Sequence, residues 1–299
     1  MGQIIDMLTT PLMQRGLLAA LLVGIVAPVM GTFLVQRRLS LLGDGIGHVA
    51  LTGVALGWLV GAAAGVTPVD ALAVPGAVVA AVVGAVGIEV VRERGRTSAD
   101  VALALLFYGG IAGGVVIIQL AGGQSSNLMA YLFGSISVVS TWDLVLTGVL
   151  ALVVLGLGVG LRPSLFAVSH DEEFARASGL PVRLLNVAIA VMAALTVTVA
   201  MRVVGLLLVS ALMIVPVAVA QLLTRSFVTT MRLATGIGVV ACLVGLSATY
   251  WWNVSPGATI VLLTIACYAV VAVLHPVLRP RHAGRDPHPD LPADVVLEG

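Results

Sequence analysis

Residues Leu184 to Leu223 read LLNVAIAVMAALTVTVAMRVVGLLLVSALMIVPVAVAQLL, an apolar stretch of forty positions in which Arg202 is the one charged residue. A helix that crosses a membrane needs about 20 such residues, so this stretch is long enough for two crossings. The whole chain has the same character: 60% of its 299 residues are hydrophobic and 10% are charged, whereas a soluble domain carries about 25% charged residues. The sequence therefore predicts an all-α polytopic membrane bundle and excludes a soluble globular fold.

Apolar runs bounded by charged or turn residues predict about nine transmembrane helices, with eight and ten as the alternatives. The runs lie at about 16–36, 39–63, 69–91, 99–121, 141–161, 184–201, 203–223, 232–252 and 257–278. Residues 16–278 thus form one transmembrane domain, which follows an N-terminal segment, 1–15. The tail, 279–299, is too polar to bury a core, and we expect it to be disordered.

Arginines mark one side of the predicted bundle. They recur in every second connection between runs, which predicts that these connections are cytoplasmic, because cytoplasmic loops collect basic residues. These arginines are Arg37, Arg38, Arg92, Arg94, Arg96, Arg162, Arg176, Arg183, Arg225, Arg232, Arg279, Arg281 and Arg285. With nine crossings the C-terminus is cytoplasmic. Arg202 falls at an outer turn, where it could line an entrance, pair with an acid of another span or, as is commonest, extend its guanidinium to the interface.

The composition excludes several function classes. All 15 basic residues are arginine, so the phosphate-binding lysine of a P-loop ATPase is missing. Cys242 and Cys267 lie in separate apolar runs without a C-x-x-C spacing, which argues against a disulfide framework or a thiolate metal site. A net charge of +1 is too small for a nucleic-acid partner.

Two ionisable residues, Asp44 and His48, lie inside the second apolar run. Ionisable side chains at membrane depth are costly and usually functional, and the i, i+4 spacing places this carboxylate and imidazole on one helix face. An oxygen and a nitrogen ligand suit zinc or manganese, and a symmetric homodimer would raise the ligands from two to four. The equally weighted alternative is a structural pair whose members hydrogen-bond each other or a neighbouring helix.

The segment 169–181 is the longest charged stretch between the predicted spans. Ser169 and Glu172 have the spacing of a capping box, and Gly179 with Pro181 provides a helix end. The sequence therefore predicts a short helix at about 170–179 in a cytoplasmic loop, with Phe174 as an apolar side chain. Because so short a helix is marginal in water, it needs a surface to lie on, and its acidity favours a protein partner over an anionic bilayer.

Several motifs in the same order resemble those of permease subunits of ABC-type zinc/manganese importers. The resemblance covers about 15–275. It is carried by Leu42–His48 continuing through Gly53–Gly57, by Tyr131–Ile136, by Asp171–Ala175, and by Arg202–Gly205 continuing into Ser210–Pro216.

This resemblance implies a homodimeric permease of eight or nine spans in the plasma membrane, itself not an enzyme and without a bound cofactor. It would receive a metal ion, zinc before manganese or iron, from an external solute-binding protein, and ATP would be hydrolysed by a separate cytoplasmic ATPase dimer. Asp44 and His48 match the family's metal-coordinating positions. The helix that couples to the ATPase would contain Asp171, Glu172, Glu173, Phe174, Ala175 and Gly179. Gly45 and Gly47 stand where larger or hydroxyl residues are frequent, which leaves the width of the metal site open.

Two other functions compete with this interpretation. An ATP-independent secondary transporter or channel could use Asp44 and His48 as a proton relay, although no internal repeat supports it. An intramembrane enzyme is less favoured, because the sequence has neither H-E-x-x-H nor G-x-S-x-G.

Overall fold

The computed structural model describes residues 6–7, 9–67, 69–93, 99–120, 131–135, 140–252 and 254–278. Within these ranges all regular structure is helical, which confirms the predicted fold class. In chain order the helices are α1 (Pro11–Gln36), α2 (Leu42–Ala63), a 3-10 helix (Val69–Leu72), α3 (Ala73–Glu93), α4 (Ala99–Leu120), α5 (Thr141–Gly160), α6 (Arg162–His170), α7 (Glu172–Ala177), α8 (Val182–Ala200), α9 (Val209–Leu223), α10 (Phe227–Trp251) and α11 (Pro256–Leu278). The predicted tail, 279–299, lies outside the described residues.

Eight of these helices are long and apolar enough to cross a membrane, namely α1 to α5, α8, α10 and α11. The exception is the predicted run 203–223, which becomes helical only at Val209. At 1.5 Å per residue, the 15 residues of α9 extend about 22 Å, short of the roughly 30 Å of a bilayer core. Residues 201–208 form turns instead. The prediction of a continuous helix was therefore wrong at this one run.

Three helices form the centre of the bundle. In α1 and α8, 72% of the most apolar window is buried, and in α2 the figure is 61%, against 22% in α4 and α11. The outer helices present apolar side chains such as Leu105, Leu152 and Leu262 on their exposed faces. This distribution is that of a membrane bundle, whose outer surface is apolar because it contacts lipid.

Glycines allow the central helices to approach closely. A Cβ at Gly53 of α2 would overlap the carbonyl oxygen of Gly76 in α3, and a Cβ at Gly110 of α4 would lie 2.5 Å from the carbonyl carbon of His48. Small residues at helix contacts are typical of membrane bundles. These contacts hold α2 between α3 and α4, and so fix the helix that carries Asp44 and His48.

The loops after α1, before α7 and after α3 meet at one end of the bundle, here called the arginine end. Arg37, at the end of α1, and Arg92, near the end of α3, both bind Glu172 of α7. Arg183, at the start of α8, binds Glu93. These contacts place on one side of the bundle the loops that the arginine pattern predicts to share a side.

Candidate functional site

Asp44 and His48 occupy the first two turns of α2, with Asp44 half-buried and His48 buried at 6% exposure. Among the described residues, no group of three or more His, Cys, Asp or Glu side chains could hold a metal ion. In the described part of the single chain, Asp44 and His48 therefore have no third such side chain beside them that would make a group of three.

Helix α4 fixes the side chain of His48. The imidazole ring packs edge-on against Phe107, with 4.3 Å between ring centroids. One turn further along α2, the Thr52 hydroxyl donates a hydrogen bond of 2.8 Å to the carbonyl of Gly110. The ring contact restricts the orientation of the imidazole, and the hydrogen bond joins α2 to α4 one turn away.

Helix α9 begins beside Asp44. The Ser210 hydroxyl, in the first turn of α9, donates a hydrogen bond of 3.3 Å to Asp44 Oδ1. Asp44 therefore makes a hydrogen bond to a neighbouring helix, as the structural alternative to a metal site predicts.

A cavity of about 380 Å³ opens beside the Asp44 carboxylate on the α2–α4 face. It is lined by Leu41, Asp44, Gly45, Leu103, Ala104, Phe107 and Tyr108. Leu41 is 70% exposed and Tyr108 is 69% exposed. Asp44 therefore faces the outer surface of the single chain through an opening rimmed by apolar and aromatic side chains.

Two short segments, 131–135 and 201–208, pair with each other and are here called the paired loops; residues 131–133 are helical, whereas 134–135 and 201–208 are not. The N–H groups of Leu206 and Leu207 donate to the carbonyls of Tyr131 and Leu132 at 2.9 and 3.2 Å. The N–H of Ser135 donates to the carbonyl of Arg202 at 3.1 Å. Irregular backbone at membrane depth needs such partners, because lipid cannot hydrogen-bond it.

The paired loops pack backbone against backbone at three glycines. Gly134 and Gly205 have φ of +76° and +89°, in the left-handed region that favours glycine. A Cβ at Gly134 would overlap the carbonyl of Val203, and one at Gly257 of α11 would overlap that of Val204. Side chains larger than hydrogen are therefore excluded where the paired loops meet α11.

Arg202, in the second of the paired loops, is buried at 6% exposure. Its guanidinium lies 3.2 Å from Asp143 Oδ1 and 4.8 Å from the centroid of the Tyr131 ring. Asp143 also closes a capping box with Ser140 at the start of α5. Of the three fates considered for Arg202, extension to the interface was wrong and pairing with an acid of another span is confirmed. A buried guanidinium needs such a partner because its desolvation is otherwise uncompensated.

The predicted coupling segment consists of two helices rather than one. Ser169 belongs to α6, and the N-cap of α7 is Asp171, whose carboxylate accepts a 2.9 Å hydrogen bond from the N–H of Phe174. The predicted capping box of Ser169 with Glu172 is therefore wrong. Gly179 has φ of +79° just after α7, as expected of a glycine at a helix end.

Glu172 binds three other helices through one oxygen atom. Its Oε1 accepts hydrogen bonds from Arg37 and Arg92 at 2.8 Å and from Asn186 at 2.7 Å. Burial disfavours the ionised carboxylate, but the hydrogen bond from Asn186 and the charges of Arg92 and Arg37 outweigh it and hold the pKa of Glu172 below its ordinary value. This residue thus faces the bundle.

The other predicted coupling residues divide by exposure. Asp171, Glu173 and Gly179 are exposed, Phe174 is 65% exposed, and Ala175 is fully buried. The short helix therefore presents Glu173 and Phe174 outward, while Glu172 and Ala175 hold it against the bundle.

Sequence reasoning missed the residues that surround these sites. They are Phe107 beside His48, Ser210 beside Asp44, and Arg37, Arg92 and Asn186 around Glu172. Ser210 and Asn186 are polar residues within apolar stretches, which is a signal that sequence reading could have used.

Comparison with known proteins gives consistent matches along nearly the whole chain. The model of the ABC 3 transport family matches residues 9–275. The manganese transport system membrane protein MntC of Halalkalibacterium halodurans is 32% identical over 272 residues, 91% of this chain and 90% of that protein. A probable iron transport system membrane protein of Haemophilus influenzae is 31% identical over 280 residues, 92% of this chain and 99% of that protein.

A solved structure agrees with the fold as well as the sequence. PsaBC from Streptococcus pneumoniae, solved in complex with Fab, is similar with a TM-score of 0.78 and 31% identity, over 89% of this chain and 93% of that chain. Since the family match, the curated relatives and this structure all cover most of the chain, the protein belongs to the ABC 3 transport family, as its motifs imply.

Proposed function

We propose that this chain is the permease subunit of an ATP-driven importer that carries a divalent transition metal across the plasma membrane. The observation that carries the proposal is the Asp44–His48 pair, held on one face of α2 between α4 and α9. A carboxylate oxygen and an imidazole nitrogen bind such metals readily. The C-terminus is proposed to be cytoplasmic, because the arginine end would then face the cytoplasm.

Manganese is the metal to test first. Ligand affinity favours zinc, whereas the MntC relative is named as a manganese transport protein and the Haemophilus relative as a probable iron transport protein. An aspartate–histidine pair accommodates all three metals, so the relatives' names shift the order of preference towards manganese.

A second copy of the chain would complete the metal site. The Asp44 carboxylate borders a cavity that opens to the surface of the single chain, and an ionised carboxylate facing lipid costs a few kcal/mol. A two-fold partner on the α2–α4 face would exclude lipid and bring a second Asp44 and His48, giving four ligands.

The energy for transport would come from separate ATPase chains. This sequence lacks the lysine of a P-loop, and α7 presents Phe174 and Glu173 outward for a protein contact. An external binding protein would deliver the metal at the opposite end. There the paired loops would have to separate from each other, or from the second copy, to admit it.

Metal accumulation in an importer-deficient strain tests this function. Cells expressing the chain with a candidate ATPase and binding protein should accumulate one of manganese, zinc or iron, measured by elemental mass spectrometry. Asp44→Ala and His48→Ala should abolish accumulation, while the matched controls Asp6→Ala and His275→Ala, outside the site, should retain it.

Two results would overturn the proposal. Accumulation at the wild-type level in the Asp44→Ala and His48→Ala strains would exclude this pair as the metal site. Uptake that persists in ATP-depleted vesicles without any ATPase would instead favour a secondary transporter or channel.

A further inference from the structure

The coupling segment is joined to the end of α1 by two side-chain contacts. Gln36 Nε2 lies 3.0 Å from His170 Nδ1 at the end of α6, and Arg37 Nη2 donates to Glu172 Oε1 at 2.8 Å. Two adjacent residues of α1 thus hold both short helices of the segment. The Arg37 side chain is 5% exposed, so its ion pair is shielded from water on the arginine side.

The chain leads directly from Arg37 to the metal pair. Arg37 is the C-cap of α1, and α2 begins at Leu42 with Asp44 in its first turn. The connecting turn contains Arg38 with φ of +58°, an unusual conformation for a residue other than glycine. Such strained positions persist only where surrounding contacts hold them, and Arg37 with Glu172 supplies a contact next to it.

Arg92 gives Glu172 a second ion pair, but Arg92 is not next to the turn that precedes Asp44 and His48. It lies near the end of α3, and it also binds Glu89 of the same helix at 3.0 Å. The two arginines therefore differ in the structure that each connects to Glu172: Arg37 leads into the turn before α2, and Arg92 leads into α3.

We propose that Glu172 is a positioning residue that transmits movement of α7 through Arg37 and the turn 37–41 to Asp44. This inference rests on the proposed function, and deepens it by naming the route of coupling. Glu172 acts inside the permease, whereas Phe174 and Glu173 are the residues of α7 available to the ATPase. A directional hydrogen bond to a charged group is well suited to this role, because it resists displacement in more than one direction.

The test compares ATP hydrolysis with metal uptake in proteoliposomes that contain the permease with its ATPase and binding protein. Glu172→Gln removes the charge and keeps the shape of the side chain, and Glu93→Gln makes the same change at another carboxylate of the arginine end, which pairs with Arg183. Coupling between sites is typically worth a factor of 5 to 150. We therefore expect Glu172→Gln to raise the ATP hydrolysed per metal ion about fivefold or more, with Glu93→Gln unchanged.

A merely structural role predicts a different pattern. ATPase activity, uptake and thermal stability would then fall together in Glu172→Gln, and the ratio of ATP to metal would stay at the wild-type value, which would overturn the proposal. Equal ratios in Glu172→Gln and Glu93→Gln would also overturn it. A wild-type complex that hydrolyses ATP but moves no metal would count against the proposed function itself, independently of Glu172.

A second pair of variants keeps the test decisive if Glu172→Gln does not assemble. Arg37→Gln and Arg92→Gln each remove one ion pair of Glu172. The proposed route predicts a raised ratio of ATP to metal for Arg37→Gln and a ratio near wild type for Arg92→Gln. Equal ratios for the two variants would exclude the route through Arg37.

Discussion

Replacing Gly205 by alanine should destabilise the paired loops through two separate effects. The residue has φ of +89°, and a Cβ there would overlap the carbonyl oxygen of Leu132 and lie 2.6 Å from the N–H nitrogen of Gly134. Real Cβ atoms essentially never come within 3.0 Å of such atoms. The variant must therefore adopt a strained backbone and also separate the two loops.

The magnitude follows from these effects. A left-handed conformation costs an L residue about 1–2 kcal/mol. Separating the loops breaks the hydrogen bonds donated by Leu206 and Leu207, each worth about 1 kcal/mol. The total is about 3–4 kcal/mol, which corresponds to a fall of about 10 °C in Tm.

Thermal unfolding in detergent measures this loss. A thiol-reactive dye reports unfolding, because Cys242 is buried in α10 until the helices separate. Two control variants isolate the effects. Gly179→Ala has φ of +79° with nothing within 4 Å of its Cβ and should lose only the strain, whereas Gly236→Ala has open space at ordinary φ and should be as stable as wild type or slightly more so.

The comparison between Gly205→Ala and Gly179→Ala is the critical one. A Tm of Gly205→Ala no lower than that of Gly179→Ala would show that the overlap with Leu132 contributes nothing. The packing of the paired loops would then not be what makes glycine necessary at this position.

Two further predictions concern the metal pair and the arginine end. Gly110→Ala should push α4 away from His48 and reduce metal uptake about tenfold or more, because small displacements of a ligand are costly. The matched Gly109→Ala, with open space at its Cβ, should leave uptake unchanged. Equal uptake by the two variants would contradict this role of α4. Because the pKa of Glu172 is lowered in the folded protein, its ion pairs stabilise the fold above the ordinary glutamate range and lose this effect as the pH falls through the folded pKa. The Tm difference between wild type and Glu172→Gln should thus be full at pH 7 and shrink below about pH 4.5; a constant difference would refute it.

The sequence predicts most of the spanning helices because hydropathy is a local property. The prediction of a spanning helix at 203–223 failed for a physical reason. Residues 201–208 are as apolar as those of a spanning helix, but their backbone hydrogen-bonds to residues about 70 positions earlier. The local hydropathy pattern cannot indicate a hydrogen-bond partner so far away in the sequence. For Arg202 the sequence offered an acid of another span as one possible partner, but it could not identify that acid as Asp143, because the two residues belong to different segments.

At the candidate sites, too, the sequence predicts the local arrangement but not the contacts between residues that are distant in the chain. The spacing of Asp44 and His48 indicates a shared helix face, but not that Phe107 and Ser210 adjoin them. At the coupling segment, a local rule assigned Glu172 to a cap, whereas in the folded chain three distant donors compete for its carboxylate. A charged residue near a helix start can satisfy either role, and only the three-dimensional contacts distinguish them.

The short helix α9 has little contact with lipid, so the thickness of the bilayer has little direct effect on it. From Val209 to Ala220 every residue is buried or half-buried, and so are residues 201–206 that precede it. Hydrocarbon thickness acts on helices that lipid touches, by tilting them until their apolar length matches. It therefore acts directly on α11, which is only 22% buried in its apolar window, and has much less surface to act on in α9, which brings Ser210 to Asp44. Protein packing thus holds the Ser210 side of this contact, and membrane thickness reaches the contact mainly through the exposed apolar residues of α2, such as Leu56 and Val60.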